Sequence, residues 1–309
     1  MTRARFLRLG VAAAGTTLAG SLGVLPGPTH AAGVQKMHSR TIPSSGEALP
    51  VIGCGTWRTF DVGASPQDRA PLAEVLRVMF DAGGSVIDSS PMYGKSERVT
   101  GDVLESITGH PNAFIATKVW TSGREAGIAQ MRESMKLLRT ERIDLMQIHN
   151  LVDWRTHMQT LRAWKAEGRI RYLGVTHYTT SAFDQLEAVM KSEQLDFVQL
   201  NYALDDRTAA QRLLPLAAER GIAVIVNQPF GGGGLLRSLS GKPLPEWAGD
   251  IGCSSWAQLL LKFVLAHPAV TCVIPGTGKP QHMRDNVQAG VGVYPDKAML
   301  GRMVLSAGA

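Results

Sequence analysis

Four side chains capable of acid–base chemistry lie at or just beyond the ends of successive apolar segments of the chain. They are Asp88 and Tyr93 in VIDSSPMYG, Lys118 in FIATKVW and His149 in DLMQIHN. Reduction of a carbonyl group needs a hydride at carbon and a proton at oxygen, and a phenol with a pKa of about 10 is a reluctant donor. A nearby ammonium group lowers that pKa because it favours the phenolate. The set therefore predicts a carbonyl-reducing site.

Each residue has an expected role in that site. Tyr93 is the general acid, Lys118 supplies the charge that tunes it, and Asp88 pairs with the lysine and fixes its position. A neutral His149 donates a hydrogen bond that orients the carbonyl oxygen. Taken singly, each residue has a simpler structural explanation, such as a helix cap or a surface position, so the catalytic interpretation rests on their joint occurrence.

The elements that carry these residues alternate between apolar strands and amphipathic helices. The strands read as VIGCGT, SVIDSS, AFIATKV, IDLMQIH, RYLGVTH, FVQLNY, AVIVNQP and VTCVIPG, and helical patterns between them include 70–82, 128–139, 157–167, 182–191 and 209–220. Continuous apolar strands are typical of a parallel sheet that is covered on both faces. The fold class is therefore α/β, a (β/α)8 TIM barrel whose chemistry lies at the carboxyl ends of the strands. The segment SRTIPSSGEALP predicts an N-terminal β-hairpin that closes the barrel floor.

Composition agrees with one soluble barrel domain. The chain has 309 residues, of which 44% are hydrophobic, and its formal charge of +6 includes three arginines near the start. Without them the charge is +3, too small to indicate a nucleic-acid partner. The cysteines number three and form no CxxC motif, so we expect buried thiols, no disulfide framework and no metal site.

The first 31 residues have the composition of an export signal. Arg3, Arg5 and Arg8 precede a weakly apolar run, and the sequence THA ends the segment at residue 31. We expect residues 1–31 to be a signal peptide and residues 32–309 to be the barrel domain. The stretch TRARFLRLG is twin-arginine-like, although Ala4 separates the first two arginines. The predicted location is periplasmic or secreted, with a cytoplasmic protein as the alternative, and the run is too short for a stable membrane span.

From about Ser39 to Ala289 the chain resembles the aldo/keto reductase family, in which the four residues above occur in the same order and strand context. The resemblance implies NADP(H)-dependent reduction of small aldehydes or ketones, with Tyr93 as proton donor, by a monomer. NADPH is the expected cofactor, with NADH as an alternative. A cofactor-binding sensor or accessory subunit without significant turnover is the alternative function.

The resemblance also assigns the nicotinamide and substrate contacts. GCGTW at 53–57 places Gly55 and Thr56 near the nicotinamide and Trp57 at the wall of the substrate pocket, beside His149. Trp120 and Trp154 are further candidates for this wall, with core packing as the alternative for each. Further cofactor contacts are expected from GVTHY, FVQLNY and NQPFGGGGLL, namely Thr176, His177, Gln199, Asn227, Pro229, Phe230 and Gly231. His177 stands where the family usually has asparagine. Asn227 occupies the usual aromatic position, and Phe230 is the candidate substitute.

The segment IPGTGKPQHMRDN resembles the pocket for the adenosine half of the cofactor. Asn286 matches the residue that contacts adenine, while Gly276 and His282 stand where the family has a lysine and an arginine for the ribose 2′-phosphate. Thr277, Lys279 and Arg284 are the candidate replacements. The glycine run at 231–234 is expected either to close over a pyrophosphate or to form a flexible loop.

Overall fold

Eight parallel strands form the central sheet, and hydrogen-bonded neighbours follow one another in chain order. A computed structural model of the protein describes residues 36–107 and 112–308, so the predicted signal peptide lies outside the described residues. A two-stranded hairpin of β1 and β2 precedes the sheet of β3 to β10. In chain order the strands are Ser39–Thr41, Ala48–Pro50, Cys54–Gly55, Val86–Asp88, Phe114–Val119, Ile143–His149, Ile170–Thr176, Phe197–Asn201, Ala223–Asn227 and Val270–Val273.

The first and last strands of the sheet meet through two parallel bridges, Ile52 with Val273 and Gly55 with Gly276. This contact closes the sheet into a barrel and confirms the predicted (β/α)8 fold. Closure requires a very small residue at position 55, because a Cβ atom there would lie 2.9 Å from the carbonyl oxygen of Ile274. The hairpin closes the floor as expected, since its Ile42 and Leu49 belong to the same buried cluster as the barrel interior.

Helices cover the outside of the barrel between the strands. They are α1 to α10, at Pro66–Asp81, Ser96–Ser106, Arg124–Leu137, Trp154–Ala166, Phe183–Ser192, Leu213–Arg220, Gly234–Ser238, Trp256–Leu265, Pro280–Gln288 and Lys297–Ala307. Local signals fix several ends: the Ser65 side chain accepts from the Asp68 backbone N–H at the start of α1, and Gly221 ends α6 with a positive φ of 64°. Among the described residues, no helix is long and apolar enough to cross a membrane.

The predicted helix over 209–220 is wrong at its start. The chain forms a 3₁₀ turn at Thr208–Gln211 and then α6 from Leu213, with a non-helical φ of −137° at Arg212 between them. Pro215 explains the break, because its ring lacks an N–H and would clash with the carbonyl group of residue 211 in a continuous helix. The long segment after β9 also contains short structure, with 3₁₀ turns at Gly231–Gly233 and Glu246–Ile251 around α7.

Side chains alternate between the barrel interior and the helical layer along each strand. On β5, Phe114 and Ala116 belong to the interior cluster, whereas Ile115 and Val119 pack against the helices. The interior cluster is apolar near the floor, where Phe114 stacks on Tyr172 with ring centroids 5.9 Å apart. The next inward positions toward the carboxyl ends are polar, so a polar layer lies above the apolar floor.

Replacement of Phe197 by alanine tests how much the aromatic cluster at the barrel floor contributes to stability. Its ring is fully buried and lies 5.4 Å from Tyr172 and 6.0 Å from Phe114 between ring centroids. The cavity left by Phe197→Ala should lower the free energy of unfolding by about 3–5 kcal/mol, measured by urea denaturation. Leu305→Ala, at a residue that is 82% exposed, should change it by less than about 0.5 kcal/mol. Equal effects from the two variants would contradict this packing.

Candidate active site

Three of the four predicted catalytic residues lie at the carboxyl ends of adjacent strands. Asp88 ends β4, Lys118 lies next to the last residue of β5, and His149 ends β6. Their inward direction follows from the alternation along each strand, since Val86, Ala116 and Leu145, two or four residues earlier, belong to the interior cluster. Tyr93 follows in the turn between β4 and α2, where its backbone N–H donates to the carbonyl oxygen of Ser90. The structure thus brings all four residues together at the barrel mouth.

The centre of the site is a buried ion pair. Lys118 Nζ lies 2.7 Å from Asp88 Oδ2, with both side chains almost fully buried. The ammonium also donates to the Ser89 carbonyl oxygen at 2.7 Å, and Asp88 Oδ1 accepts from Gln199 Nε2 at 2.9 Å and from Gln147 Nε2 at 3.3 Å. Buried charges are tolerated when they are paired and their remaining hydrogen bonds are satisfied, as they are here.

Lys118 keeps its proton in this environment. Burial by itself lowers the pKa of Lys118, but the charges and hydrogen bonds of Asp88 and Tyr93 outweigh it and raise the pKa above the usual 10.5. Since the folded-state pKa lies above the unfolded one, this contribution to stability is complete below the unfolded value. It is lost only as the pH rises through the folded value. The site therefore holds a fixed positive charge at neutral pH.

Tyr93 lies beside that charge, with Lys118 Nζ 4.9 Å from the centroid of its ring. Burial raises the pKa of Tyr93, Lys118 lowers it, and Asp88 raises it, so that the net direction is upward. The sequence analysis expected the ammonium group to lower the pKa of this phenol, and Lys118 does so, but burial outweighs its effect. Tyr93 is consequently a protonated phenol at neutral pH and can act as a proton donor.

His149 is a neutral imidazole next to the phenol. Its ring is perpendicular to that of Tyr93, with an interplanar angle of 86° and centroids 5.8 Å apart. Burial, then the positive charge of Lys118 and the neighbouring His177, lowers the pKa of His149 to about 2. The Nδ1 atom is hydrogen-bonded to Ser90 Oγ at 3.0 Å. A neutral imidazole with one nitrogen occupied has the other available for a ligand.

Two partly exposed tryptophans flank the pair of Tyr93 and His149, as the sequence predicted for the pocket wall. Trp57 is 42% exposed and lies 6.5 Å from Tyr93 between ring centroids. Trp120 is 41% exposed and lies 6.4 Å from His149. A third tryptophan considered for the pocket, Trp154, instead packs against the core at the start of α4. The mouth thus has apolar walls around polar groups, which is typical of a small-molecule site.

The residues expected near a nicotinamide carboxamide form a hydrogen-bonded row. Thr176 Oγ1 donates to Gln199 Oε1 at 3.1 Å, and the Gln199 side chain also donates to Asp88. His177 follows Thr176, and its Nδ1 accepts from the Thr179 backbone N–H at 3.3 Å. Its ring stacks on that of Tyr178 with an interplanar angle of 9°. Each of these side chains already has a partner, although an amide retains further donor and acceptor capacity.

Gly55 and Thr56 have structural roles at the barrel mouth. The Thr56 hydroxyl lies 3.0 Å from both the Asp88 carbonyl oxygen and Ser89 Oγ, and Thr56 is fully buried. Its backbone N–H also donates to the Asp88 carbonyl oxygen. These contacts tie the first strand of the barrel to the strand that ends in Asp88. The Thr56 hydroxyl is therefore not free to bind a ligand.

The end of β9 offers a buried polar atom without a partner. Ala223 and Ile225 face the interior, so the alternation places Asn227 inward at the mouth. Its Oδ1 atom is buried and has no hydrogen-bond partner among the described residues. Such an atom is destabilising unless a ligand or water satisfies it.

Beyond Asn227 the chain turns over the mouth end of β9. Pro229 is buried, Phe230 packs partly against the core, and Gln228 has a positive φ of 49°. The three glycines at 231–233 all have a positive φ. A Cβ atom at Gly231 would lie 2.4 Å from the Asp205 carboxylate, so this position needs glycine for both space and conformation.

The candidate phosphate contacts near α9 differ in their availability. Arg284 is engaged by Glu74 of α1, with Nη2 2.6 Å from Oε1. Thr277 is buried and its hydroxyl lies 3.4 Å from His282 Nδ1. Lys279 is exposed and forms no ion pair with a described residue. Of the two basic candidates, Lys279 is therefore the free one.

The helix α9 also positions the predicted adenine contact. Asn286 is buried, and the neighbouring Asp285 accepts from Ser255 Oγ at 2.7 Å and from Gln258 Nε2 at 2.6 Å. These bonds join α9 to the start of α8. Within the described residues, no group of three His, Cys, Asp or Glu side chains is placed to hold a metal ion.

Sequence reasoning missed three buried polar residues around the site. Gln147 donates to Asp88, Ser90 is bonded to His149, and Glu97 accepts from Thr117 Oγ1 at 2.5 Å behind β5. Strand periodicity could have identified Gln147, because it lies two residues before His149 on the inward face of β6. Ser90 likewise lies two residues after Asp88. No comparable signal marks Glu97.

Removal of one partner of the ion pair should be far more harmful than removal of a surface lysine. Lys118→Met leaves the Asp88 carboxylate buried and unpaired, so the free energy of unfolding should fall by about 3–5 kcal/mol in urea denaturation. The matched control is Lys191→Met, whose lysine is 59% exposed and pairs with Glu187 on the surface of α5, and it should cost less than about 1 kcal/mol.

A double variant separates the charge from the packing. Asp88→Asn combined with Lys118→Met should be less destabilised than the sum of the single changes, because the neutral amide no longer needs a counter-charge. Strict additivity, or equal losses for the Lys118 and Lys191 variants, would show that the buried pair does not hold the site together.

Comparison with known proteins identifies the family of the chain. The chain is 27% identical over 259 residues to the methylglyoxal reductase YeaE of Escherichia coli, covering 81% of this chain and 89% of that one. It is 26% identical over 251 residues to the methylglyoxal reductase DkgB of Yersinia pestis, covering 78% and 87%. An aldo-keto reductase from Klebsiella pneumoniae, solved in complex with NADPH, superposes with a TM-score of 0.73 at 25% identity, covering 87% and 94%. The model of the aldo/keto reductase family matches residues 51–300, and the chain therefore belongs to that family.

Proposed function

We propose that the protein is an NADPH-dependent oxidoreductase that reduces small aldehydes or ketones to alcohols, with Tyr93 as the proton donor. The observation that carries the proposal is the arrangement at the barrel mouth, where Lys118, paired with Asp88, lies 4.9 Å from the centroid of the Tyr93 ring. The His149 ring lies 5.8 Å from that of Tyr93 between centroids. This combination can supply a proton and a hydrogen bond to one oxygen atom. Bound NADPH supplies the hydride to the carbonyl carbon.

The chain's own residues divide the remaining work. Tyr93 transfers its hydroxyl proton to the carbonyl oxygen as negative charge develops there, and Lys118 stabilises the phenolate that remains. Asp88 holds Lys118 at a fixed distance, so this stabilisation needs no rearrangement during the reaction. His149 orients the carbonyl oxygen through a hydrogen bond from its free ring nitrogen. Solvent returns the proton to Tyr93 after the alcohol leaves.

The residues at the mouth fit a nicotinamide dinucleotide. The unpartnered Oδ1 atom of Asn227 can accept from a carboxamide N–H, Gln199 lies on the adjacent strand β8, and His177 follows β7, the next strand beyond it. The backbone N–H groups of Gly231 and Gly233 donate to the carbonyl oxygens of Gln228 and Phe230, so the N–H of Gly232 is the candidate contact for a pyrophosphate. Exposed Lys279 can meet a 2′-phosphate, while Arg284 is held by Glu74. The NADPH complex of the Klebsiella relative supports the phosphorylated cofactor, with NADH as the alternative in the binding test below.

Small carbonyl compounds are the substrates that the pocket supports best. Trp57 and Trp120 provide apolar walls on either side of Tyr93 and His149 and are both partly exposed. Two relatives carry the name methylglyoxal reductase, which makes small dicarbonyls the first substrates to test.

We further propose that residues 1–31 direct export to the periplasm or beyond, and that residues 32–309 act as a monomer. The arginines among the first eight residues support the export signal.

Replacement of Tyr93 by phenylalanine tests the assigned acid. Loss of the proton donor should lower kcat for methylglyoxal or an activated aldehyde at least 100-fold, measured by absorbance decay of the nicotinamide band. Fluorescence titration with NADPH should give a Kd within about twofold of the original protein, because the aromatic ring remains. The control is Tyr294→Phe, which removes a buried hydroxyl that has no partner among the described residues, and it should retain full activity.

Other outcomes of the same experiment would contradict parts of the proposal. Unchanged reduction by the Tyr93→Phe variant would show that another group delivers the proton. Tight binding of NADPH without turnover on any aldehyde or ketone would favour a nucleotide sensor. Tighter binding of NADH than of NADPH would overturn the cofactor preference, and no binding of either would overturn the proposal.

The pH dependence of turnover follows from the two shifted groups. Tyr93 must be protonated to act, and its raised pKa keeps it so through neutral pH, so kcat should decline only above about pH 10. The pKa of His149 is lowered to about 2 by burial and by Lys118, so the imidazole is neutral near pH 7 and should contribute no step between about pH 5 and 8. An acidic limb near pH 6.5 that disappears in His149→Gln would contradict the burial of this histidine.

A further inference from the structure

Ser90 has no role in the mechanism above, yet it contacts the residue that meets the substrate. It lies two residues after Asp88, is fully buried, and places its Oγ atom 3.0 Å from His149 Nδ1. Among the described residues, Ser90 is the hydrogen-bond partner of the His149 ring. The ring orientation of His149 therefore depends on one serine hydroxyl.

The direction of this hydrogen bond follows from the other contacts of Ser90. The backbone N–H of Met92 donates to Ser90 Oγ at 3.4 Å, so the oxygen already accepts one hydrogen bond. The hydroxyl hydrogen needs an acceptor, and within the described part of the chain only His149 Nδ1 is recorded near it. The opposite direction, from Nδ1–H to Oγ, would leave a buried hydroxyl hydrogen unpaired. The arrangement that satisfies every group has Ser90 donating to Nδ1.

This direction decides which nitrogen of His149 carries the proton. A neutral imidazole has one N–H and one acceptor nitrogen, and a donor at Nδ1 requires the proton to be on Nε2. The Nε2–H group is then free to donate to a carbonyl oxygen beside Tyr93, whose ring is 5.8 Å away between centroids. With the proton on Nδ1, the substrate oxygen would instead face a lone pair on Nε2, which repels it.

We propose that Ser90 is a positioning residue that fixes His149 in the Nε2–H tautomer, so that the carbonyl oxygen meets a hydrogen-bond donor. The inference rests on the proposed reductase function for its consequence, but the tautomer itself is a property of the protein without ligand. Ser90 acts only through His149 and touches neither substrate nor cofactor in this account.

The tautomer can be measured directly by long-range ¹H–¹⁵N NMR of the full chain with ¹⁵N-labelled histidine at neutral pH, without cofactor. His149 is assigned by the signals that vanish in His149→Gln. The expected spectrum has Nε2 in the protonated range and Nδ1 in the unprotonated, hydrogen-bonded range. Protonated Nδ1, or a doubly protonated ring, would overturn the proposal without the use of any variant.

Variants then test whether Ser90 is the cause. Ser90→Ala should move both His149 nitrogen shifts toward the average of two tautomers, while Ser90→Thr, which keeps the hydroxyl, should restore the original shifts. Ser89→Ala removes the neighbouring hydroxyl, which does not contact His149, and should leave them in place. Unchanged shifts in Ser90→Ala would show that another group sets the tautomer. If the alanine variant fails to fold, Ser90→Cys supplies a weaker donor of similar size and should give a smaller change in the same direction.

Turnover provides a second readout that distinguishes the two proposals. Ser90→Ala should lower kcat by about 3- to 10-fold, with the Kd for NADPH unchanged and activity recovered in Ser90→Thr. The expected tautomer in a protein that reduces no carbonyl compound would mean that the proposed function fails while the tautomer assignment stands. A normal reductase with His149 protonated on Nδ1 would mean the reverse.

Discussion

The buried ion pair between Lys118 and Asp88 is the interaction on which the rest of the site depends. A lone charge at this depth would be strongly destabilising, so Lys118 and Asp88 can be buried only because each neutralises the other. The surrounding amides of Gln147 and Gln199 complete the hydrogen bonds of the carboxylate, and the buried apolar cluster of the barrel interior lies below it. The result is a positive charge that is held in place before any ligand arrives.

That fixed charge affects the protonation of its two neighbours, Tyr93 and His149. Burial first, and then this charge, lowers the pKa of His149, which leaves a neutral hydrogen-bond donor at the mouth. Lys118 also offsets part of the cost that burial imposes on an ionised Tyr93, so the phenol is a weak acid at rest whose conjugate base is nonetheless supported. Burial thus keeps Tyr93 protonated before the reaction, and Lys118 stabilises the phenolate that forms when the proton is transferred.

Much of this arrangement could be predicted from the sequence, because it follows from strand periodicity. Near-continuous apolar strands that alternate with helices indicate the barrel, and residues at strand ends indicate the chemistry, so Asp88, Lys118 and His149 could be placed together. The break before α6 was missed because helical periodicity over 209–220 obscured the effect of Pro215. The net pKa direction of Tyr93 and the contacts of Ser90 depend on burial and on atoms from distant strands. Neither quantity can be read from local sequence.

The central claim is that the chain moves a hydride from a bound nicotinamide to a carbonyl carbon while Tyr93 supplies the proton. The most direct test uses NADPH that carries deuterium at the transferable position of its reduced ring, with methylglyoxal or another small aldehyde in ordinary water. The account predicts an alcohol with one deuterium on the former carbonyl carbon, detected by mass spectrometry and NMR, and no such product from Tyr93→Phe at comparable times. Cofactor that binds without any transfer of label to carbon would contradict the account.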